Sequence, residues 1–336
     1  MFDTILAAPP DSILGLTDAW KKDPNSLKVN LGVGVYKDAS GNTPILASVK
    51  AAEAAILQMA VTKSYMPISG APEYGAHVQE LIFGGDHAII GDGRARTAHT
   101  PGGTAALRAG GDFLKQIIPQ ATVWVSAPTW ANHKGVFGAA GFRTADYPYY
   151  DAAGKSLDFA RMTEVLETIP AGDIVLLHAC CHNPSGVDLS SGQWQEVAAI
   201  AARRGWLPFL DFAYQGYGDG LEADRAGLLA LAAVCPEFLV ASSFSKNFGL
   251  YQDRTGGADS GCRHCGCGQP RVQPCGDRDP GELLESAGPR RADCQQDFGR
   301  QGVAGAVVGR VDGDARAYRC HPRPVCRGTG ATRRAW

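Results

Sequence analysis

The 336-residue sequence has no long apolar run, no strong excess of one charge and no recognisable leader segment. Without a run of about 18 apolar residues, no membrane-spanning helix is predicted. The net charge of −2, from 32 basic and 34 acidic residues, excludes a strongly basic nucleic-acid-binding protein. The first residues include Asp3 and no basic cluster, which is not typical of a secretory signal. We therefore expect a cytoplasmic protein that binds neither nucleic acid nor membrane.

The last part of the chain, residues 257–336, lacks Lys, Ile, Met and Asn altogether. The same residues include 13 Arg, 14 Gly and seven of the ten Cys, but only nine Val, Leu or Phe. Because so few apolar side chains cannot form a core, this composition predicts disorder. The missing residues have A/T-rich codons and the abundant ones have G/C-rich codons. One interpretation is therefore a G/C-rich coding strand translated out of frame.

A genuine Cys-rich module is the other interpretation of residues 257–336. Cys262, His264, Cys265 and Cys267 are crowded enough to be metal ligands, but no second ligand pair follows at zinc-finger spacing. A disulfide framework is not expected in a cytosolic protein. We therefore predict no metal site, and both origins of this segment stay open.

Before residue 256, helix-like and strand-like segments alternate along the chain. Apolar residues recur at helical spacing in 47–61, 104–118, 190–204 and 222–234. Short apolar runs rich in β-forming residues occur at 122–126, 174–178, 207–212 and 238–244. Strands as apolar as these are buried on both faces. They predict an α/β fold in which helices cover a mostly parallel sheet.

The segment SSFSKNFGLYQDR, residues 242–254, contains Lys246 just beyond a predicted strand. A lysine whose pKa is lowered by burial or by a neighbouring cation can form a Schiff base with a carbonyl. Ser243 and Arg254 could both bind a phosphate. A solvated lysine in a loop is the alternative, and this segment alone does not decide between the two.

Three other segments carry polar residues at the ends of predicted elements, where an α/β fold places its chemistry. TPGGTAALR, residues 100–108, begins a helix with glycines and a threonine, which favours phosphate binding. HACCHNPSG, residues 178–186, supplies Asn183, and we interpret its two cysteines as packing residues on opposite faces of a strand. LDFAYQGYGDG, residues 210–220, places Asp211 at a strand end and Tyr214 shortly after it, although an Asp there is often only a helix cap.

Together these segments resemble the class I aminotransferases of the aspartate/aromatic amino acid type. The motifs GVGVYKD, TPGGTAALR, VSAPTWANHK, HACCHNPSG, DFAYQGYGDGLE and SSFSKNFGLY occur in order between Met1 and about Gly256. The resemblance implies the type I pyridoxal-phosphate fold. Residues 1–45 would form an N-terminal arm and part of an incomplete small domain, and residues 46–256 an incomplete large cofactor-binding domain. Residues 257–336 do not match the family.

The resemblance also implies an activity and a cofactor. With pyridoxal 5'-phosphate, the enzyme would transfer an amino group from aspartate or an aromatic amino acid to 2-oxoglutarate or oxaloacetate by a ping-pong mechanism. Lys246 would bind the cofactor covalently and move the proton, and Asp211 would keep the pyridine nitrogen protonated. Tyr214 and Asn183 would bond to the phenolic oxygen, while His133 would support Asp211 from behind.

The remaining site residues also follow from the resemblance alone. The phosphate would be bound by Gly102, Gly103, Thr104, Ser243 and Arg254. Tyr65 would reach the phosphate of the neighbouring subunit, so the resemblance implies a homodimer. Trp130 would stack on the cofactor ring, and Gly34, Trp130 and Asn183 would line the substrate pocket.

Two substrate-binding arginines of the family have no counterpart in this sequence. One lies near the family's C-terminus, and the other lies in an Arg-x-Asn-Tyr-Ser-type segment, whereas residues 257–336 contain no Asn. One alternative is therefore a catalytically impaired remnant that at most binds the cofactor. Another is a cofactor domain joined to a metal-binding tail. The choice between aspartate and aromatic donors stays open, because the discriminating segments are missing.

Overall fold

The computed structural model describes residues 14–29 and 34–262. The chain divides into two compact units, Met1–Pro44 and Ile45–Trp336. In the first unit, helix α1 (Leu14–Lys22) ends where the Lys28 ammonium donates to the carbonyls of Trp20 at 2.8 Å and Asp23 at 2.7 Å. A cation at a helix C-terminus satisfies carbonyls that have no partner inside the helix. Among all described residues, no helix has the length and apolar character needed to span a bilayer.

The second unit is built on a seven-stranded sheet. Its strands are β1 (Ala95–Thr100), β2 (Thr122–Ala127), β3 (Arg143–Pro148), β6 (Ile174–His178), β7 (Leu207–Phe212), β8 (Phe238–Ser243) and β9 (Gly256–Gly261), and a separate pair comprises β4 (Tyr150–Asp151) and β5 (Ser156–Leu157). The order across the sheet is β1-β9-β8-β7-β6-β2-β3. The five strands from β8 to β3 are parallel, and β9 is antiparallel to both of its neighbours.

Helices lie between the strands in the chain. They are α2 (Ala47–Met59), α3 (Pro72–Phe83), α4 (Ala88–Gly91), α5 (Gly103–Ile117), α6 (Asn132–Ala139), α7 (Phe159–Leu166), α8 (Ser191–Arg204) and α9 (Ala226–Val234). The predicted α/β fold with a mostly parallel, helix-covered sheet is thereby confirmed. The predicted helix over 222–234 differs at its start, because Ala223–Arg225 forms a 3-10 turn before α9.

The central strands are buried on both faces, as their apolar sequences predict. Every residue of β8 is buried, and so are the first four residues of β6. Helix α5 packs closely on one face of the sheet through a glycine within its helical pattern. A Cβ at Gly110 would lie only 2.5 Å from Cζ of Phe209, so a larger residue would push the helix off the sheet.

The sheet continues beyond residue 256, where the composition of the chain changes. In β9, Asp259 pairs with Thr97 of β1 and Val240 of β8, and the backbone N–H of Cys262 donates to the carbonyl of Arg94 at 3.2 Å. Strand pairing uses backbone groups that every residue here supplies, so an unusual composition does not prevent it. The disorder predicted for residues 257–336 is therefore wrong for residues 257–261, which belong to β9. Of the candidate metal ligands, Cys262 is among the described residues, whereas His264, Cys265 and Cys267 lie outside them, as does the rest of the predicted disorder. The domain boundaries stay predictions.

Candidate functional site

Polar residues, among them Asp211 and Lys246 from the sequence analysis, gather at the carboxyl ends of neighbouring parallel strands. Asp211 lies near the end of β7, His178 ends β6, and Lys246 follows the end of β8. In the sheet register, His178 is directly opposite Asp211. Loops leave the sheet at this edge, so side chains from distant parts of the sequence meet there.

The carboxyl group of Asp211 is held by an imidazole. Nε2 of His133 lies 2.9 Å from Oδ2 of Asp211, and the His133 side chain is fully buried. Burial raises the pKa of Asp211, but the His133 hydrogen bond and the nearby His133, His178 and Lys246 lower it, and the net pKa lies below its ordinary value. Asp211 is therefore a carboxylate with 12% of its side chain exposed that stays ionised.

A chain of hydrogen bonds continues behind His133. The Thr129 hydroxyl lies 2.7 Å from Nδ1 of His133 and 3.3 Å from Nε2 of His178. The backbone N–H of Asn183 donates to Nδ1 of His178 at 3.0 Å. An N–H can only donate, so the proton of neutral His178 is on Nε2. Burial lowers the pKa of His178 to about 4, which keeps this imidazole neutral.

Lys246 is partly buried beside an aromatic ring. Its ammonium lies 4.6 Å from the ring centroid of Tyr214. Burial lowers the pKa of Lys246, Asp211 raises it, the Arg254 cation lowers it, and the net pKa lies below its ordinary value. The hydroxyl of Tyr217 donates to the Lys246 carbonyl at 2.9 Å and fixes the backbone here. In this environment Lys246 loses its proton, and so becomes nucleophilic, more readily than an exposed lysine does.

Tyr214 and Asn183 face each other across the same space. Burial is the main cause that raises the pKa of Tyr214, and the Asp211 carboxylate raises it further, while the hydrogen bond with the Asn183 side chain lowers it. Tyr214 therefore stays protonated and can donate a hydrogen bond at neutral pH.

A second group of residues lies beside Lys246, at the start of α5. Gly102 has a positive φ of 86°, and a Cβ there would lie 2.5 Å from Nη2 of Arg254. A Cβ at Gly103 would lie 2.9 Å from Cβ of Ser243. Arg254 Nη1 donates to the hydroxyl of Ser245 at 3.0 Å. Only residues without a side chain allow a guanidinium, a serine and the helix N-terminus to come this close.

The other predicted site residues are placed less tightly. The Trp130 ring packs edge-on against His133, with the centroids 5.2 Å apart. Thr104 lies exposed in the first turn of α5. Tyr65 is 93% exposed. Gly34 belongs to the first compact unit, where it is exposed. Within the described part of the second unit, Tyr65 makes no hydrogen bond, ion pair or ring contact with the other site residues.

One interpretation of the HACCHNPSG segment is wrong, and another is confirmed. Cys180 and Cys181 do not alternate along a strand, because β6 ends at His178 and Cys181 adopts a positive φ of 50°. Cys180 is nevertheless a core residue, and Cys181 packs against that core. Ligand atoms of His133, His178 and Asp211 lie within 4.8 Å of one another. In the described structure, hydrogen bonds account for this cluster.

Sequence reasoning missed several residues that support the site. Thr129 and His178 orient His133, and Ser245 orients Arg254. Each lies within or beside a motif quoted above, but a single threonine, histidine or serine carries no signal of its own. Their roles depend on three-dimensional proximity, which spacing along the chain does not reveal.

Comparisons with known proteins agree on one family. The family model for aminotransferase class I and II matches residues 26–267. An aspartate aminotransferase of Salmonella typhi is 54% identical over 256 residues, covering 76% of this chain and 65% of that protein. An aromatic-amino-acid aminotransferase of Pseudomonas aeruginosa is 49% identical over 255 residues, covering 76% of this chain and 64% of that protein.

Solved structures give the same result. An aromatic amino acid aminotransferase from Burkholderia cenocepacia has a TM-score of 0.77 and 40% identity, covering 96% of this chain and 72% of that one. An aromatic-amino-acid aminotransferase from Burkholderia pseudomallei, described as covalently bound to pyridoxal phosphate, has a TM-score of 0.79 and 37% identity, covering 94% of this chain and 76% of that one. The present chain spans only 65% of the length of the Salmonella relative.

Proposed function

This chain belongs to the class I and II aminotransferases, and from that premise we propose that it is a pyridoxal-phosphate-dependent transaminase. It transfers an amino group from aspartate or an aromatic amino acid to a 2-oxo acid such as 2-oxoglutarate or oxaloacetate, in a ping-pong reaction. Pyridoxal phosphate, when bound, supplies an electron sink for the carbanion formed at the substrate Cα. The residues below bind it, orient it and move the proton.

The observation that carries the proposal is the placement of three different chemical groups around one space. An amine with a lowered pKa, Lys246, is close enough to interact electrostatically with both the ionised carboxylate of Asp211 and the guanidinium of Arg254, which lies beside a helix start. Pyridoxal phosphate carries an aldehyde, a ring nitrogen and a phosphate. The amine can react with the aldehyde, the carboxylate can form an ion pair with the protonated ring nitrogen, and the guanidinium can bind the phosphate.

Each residue then has a specific task. Lys246 holds the cofactor covalently and, once released, carries the proton at its Nζ. Asp211, oriented by His133, keeps the ring nitrogen protonated. Tyr214 and Asn183 bond to the phenolic oxygen, and Trp130 covers the ring. Further contacts to the phosphate come from Gly102, Gly103, Thr104 and Ser243, and Gly34 lines the substrate pocket.

We further propose a cytoplasmic homodimer in which Tyr65 reaches the partner's phosphate. Tyr65 lies in a segment with several exposed apolar side chains, namely Leu57, Met59, Val61 and Ile68. Apolar residues exposed so close together favour a protein partner. A second copy of the chain would cover them and bring Tyr65 to a cofactor.

Covalent trapping tests the cofactor assignment. The full chain is mixed with pyridoxal phosphate and reduced with borohydride, and the modified peptide is identified by mass spectrometry. We expect modification at Lys246. A matched variant, Lys134→Ala, removes an exposed lysine that pairs with Asp146 and should change nothing. Label spread over surface lysines, with none at Lys246, would contradict the proposal.

Transamination assays test the reaction itself. Aspartate and phenylalanine are each supplied with 2-oxoglutarate, and the new amino acid is quantified. Turnover with either donor supports the proposal and identifies the donor class. Trapping at Lys246 without turnover would instead show an impaired remnant that retains only the cofactor site.

A further inference from the structure

The buried carboxyl group of Asp259 has no task in the proposed reaction. Asp259 lies in β9, between β1 and β8, and is only 1% exposed. Thr97 Oγ1 lies 2.6 Å from its Oδ1, and Ser242 Oγ lies 3.1 Å from its Oδ2. A carboxyl group in such a position must be neutral or fully compensated.

The hydrogen-bond partners around Asp259 can accommodate a proton on its carboxyl group. Ser242 has one hydroxyl proton, but its oxygen lies 3.2 Å from the Gly257 carbonyl as well as near Asp259. Thr97 Oγ1 already accepts from Gln79 Nε2 at 2.9 Å. A proton on Asp259 Oδ2 can be donated to Ser242 Oγ, so that the Ser242 hydroxyl donates to the Gly257 carbonyl while the Thr97 hydroxyl donates to Asp259 Oδ1. Neutral hydroxyls compensate a buried negative charge poorly.

No cation faces Asp259 among the described residues that interact with it electrostatically. From β1 and β8 the facing groups are the Thr97 and Ser242 hydroxyls. From α3, the titratable neighbour is Tyr74, whose pKa is raised by burial and by Asp259. His99 of β1 stacks on Tyr74 at 4.0 Å, and burial lowers its pKa, so it is neutral near pH 7.

Helix α5 also packs on β9, but on the face opposite to the one that bears the Asp259 side chain. A Cβ at Gly257, two residues before Asp259, would lie 3.4 Å from Cγ1 of Val78 in α3, so this side of β9 faces α3. Successive side chains of a strand alternate between faces, so Asp259 points to the α3 side. Burial is accordingly the main cause that raises the pKa of Asp259, to about 7.

We propose that Asp259 is a proton-controlled element of the sheet, which holds β9 against β1 and β8 when protonated and loosens this contact when ionised. The loosening would reach the candidate phosphate site. A Cβ at Gly256 in β9 would lie 2.7 Å from the carbonyl carbon of Gly102 and 2.6 Å from the carbonyl oxygen of Ser242. Gly102 and Ser243, the neighbour of Ser242, are two of the residues assigned to the phosphate.

The sign of the pH effect follows from the direction of the pKa shift. The folded pKa of Asp259, about 7, lies above the ordinary value of 3.8. The folded chain therefore holds a proton that the unfolded chain has lost, and stability falls as pH rises through this window. With these values, the unfolding equilibrium constant should rise about 100-fold between pH 5 and pH 8 from this one group.

The test compares the full chain with Asp259→Asn, which is isosteric and uncharged. Urea unfolding is measured from pH 5 to pH 8. The variant should lose most of the rise in the unfolding constant that the parent shows. The control, Asp146→Asn, alters an exposed carboxylate in β3 that pairs with Lys134, and it should retain the parent's pH dependence.

A direct measurement decides the matter even if the variant does not fold. With aspartate labelled at the carboxyl carbon, ¹³C NMR of the parent chain should show a buried resonance that titrates near pH 7. The control variant should keep this resonance. If every aspartate resonance of the folded parent titrated below pH 5, or if Asp259→Asn left the pH dependence of unfolding unchanged, the proposal would be overturned.

Discussion

Two aspartates of the same sheet, Asp211 with a side chain 12% exposed and Asp259 only 1% exposed, have opposite electrostatic environments. Asp211 in β7 is bonded by the His133 imidazole, and the pKa of its carboxyl lies below the ordinary value despite burial. Asp259, two strands away in β9, is bonded by two hydroxyls, and burial raises its pKa to about 7. Burial alone would raise both values, so the difference comes from the neighbours.

The comparison separates a carboxyl group that stays ionised from one that takes up a proton. Around Asp211, two imidazoles and the Lys246 ammonium lower the pKa, and together they keep an anion at a strand end. Around Asp259, no charged group within the described part of the chain offsets the loss of hydration. The neighbours of Asp211 thus suit a carboxylate that pairs with a cation, whereas those of Asp259 suit a protonated carboxyl group that holds β9 in place, as proposed above.

The largest expected effect comes from neutralising Asp211. Asp211→Asn keeps the size of the side chain but removes the anion proposed to hold the cofactor's ring nitrogen protonated. Leaving a buried charge without its partner costs about 2–5 kcal/mol. We therefore expect turnover to fall by roughly 30- to 5,000-fold. Steady-state transamination rates with aspartate and phenylalanine measure the effect.

The matched variant is Asp259→Asn, which makes the same chemical change in the same sheet. It should leave turnover at pH 6 within a few-fold of the parent, because Asp259 is already mostly protonated there. Asp211→Glu should retain part of the activity, because it keeps the charge. Equal rates in all four proteins would remove Asp211 from the site.

The sequence predicted much of this arrangement from local patterns. The strands 174–178 and 207–212 were predicted with the bounds that the structure has, because continuous apolar runs between helix-like segments are a strong signal. Asp211, Tyr214, Lys246 and Arg254 were found because motifs place rare residues at strand ends. Their convergence in space follows from a parallel sheet, whose carboxyl ends share one edge.

The sequence could not predict β9 or the supporting contacts. The segment GGADSG has three glycines and an aspartate, a composition that is typical of a turn. It forms a central strand because β1 and β8 supply hydrogen-bonding edges on both sides and Gly256 fits against Gly102. Such tertiary effects override local propensity and leave no pattern in the segment itself.

A smaller effect is expected when Asp211 is made to resemble Asp259. His133→Asn removes the imidazole that lies 2.9 Å from Asp211. Because burial still raises the pKa of Asp211, that pKa should increase. Losing a hydrogen bond to a charged group costs about 1.5–3 kcal/mol, so affinity for pyridoxal phosphate should fall by roughly 10- to 150-fold.

The pH dependence distinguishes this role from a merely structural one. A raised Asp211 pKa means that more of the carboxyl is protonated in mild acid, so the loss of affinity should be greater at pH 5.5 than at pH 8. Equilibrium titration with pyridoxal phosphate at both values measures this. His77→Asn, at an exposed histidine of α3, is the control. An equal loss at both pH values would contradict the electrostatic role of His133.

The smallest expected effect comes from the reverse experiment, in which Asp259 is given a cation. Gln79 Nε2 lies 2.9 Å from Thr97 Oγ1, which in turn lies 2.6 Å from Asp259 Oδ1. In Gln79→Lys, the ammonium can therefore come within about 6 Å of the carboxylate, a range in which an opposite charge lowers a pKa by at least about one unit. One unit corresponds to about tenfold in the unfolding constant at pH 8.

Urea unfolding of Gln79→Lys should show a smaller decline in stability with rising pH. Gln79→Met, which has similar length and no charge, should retain the parent's decline. If both variants behaved alike, the absence of a cation would not be what separates Asp259 from Asp211, and the difference would have to come from the depth of burial.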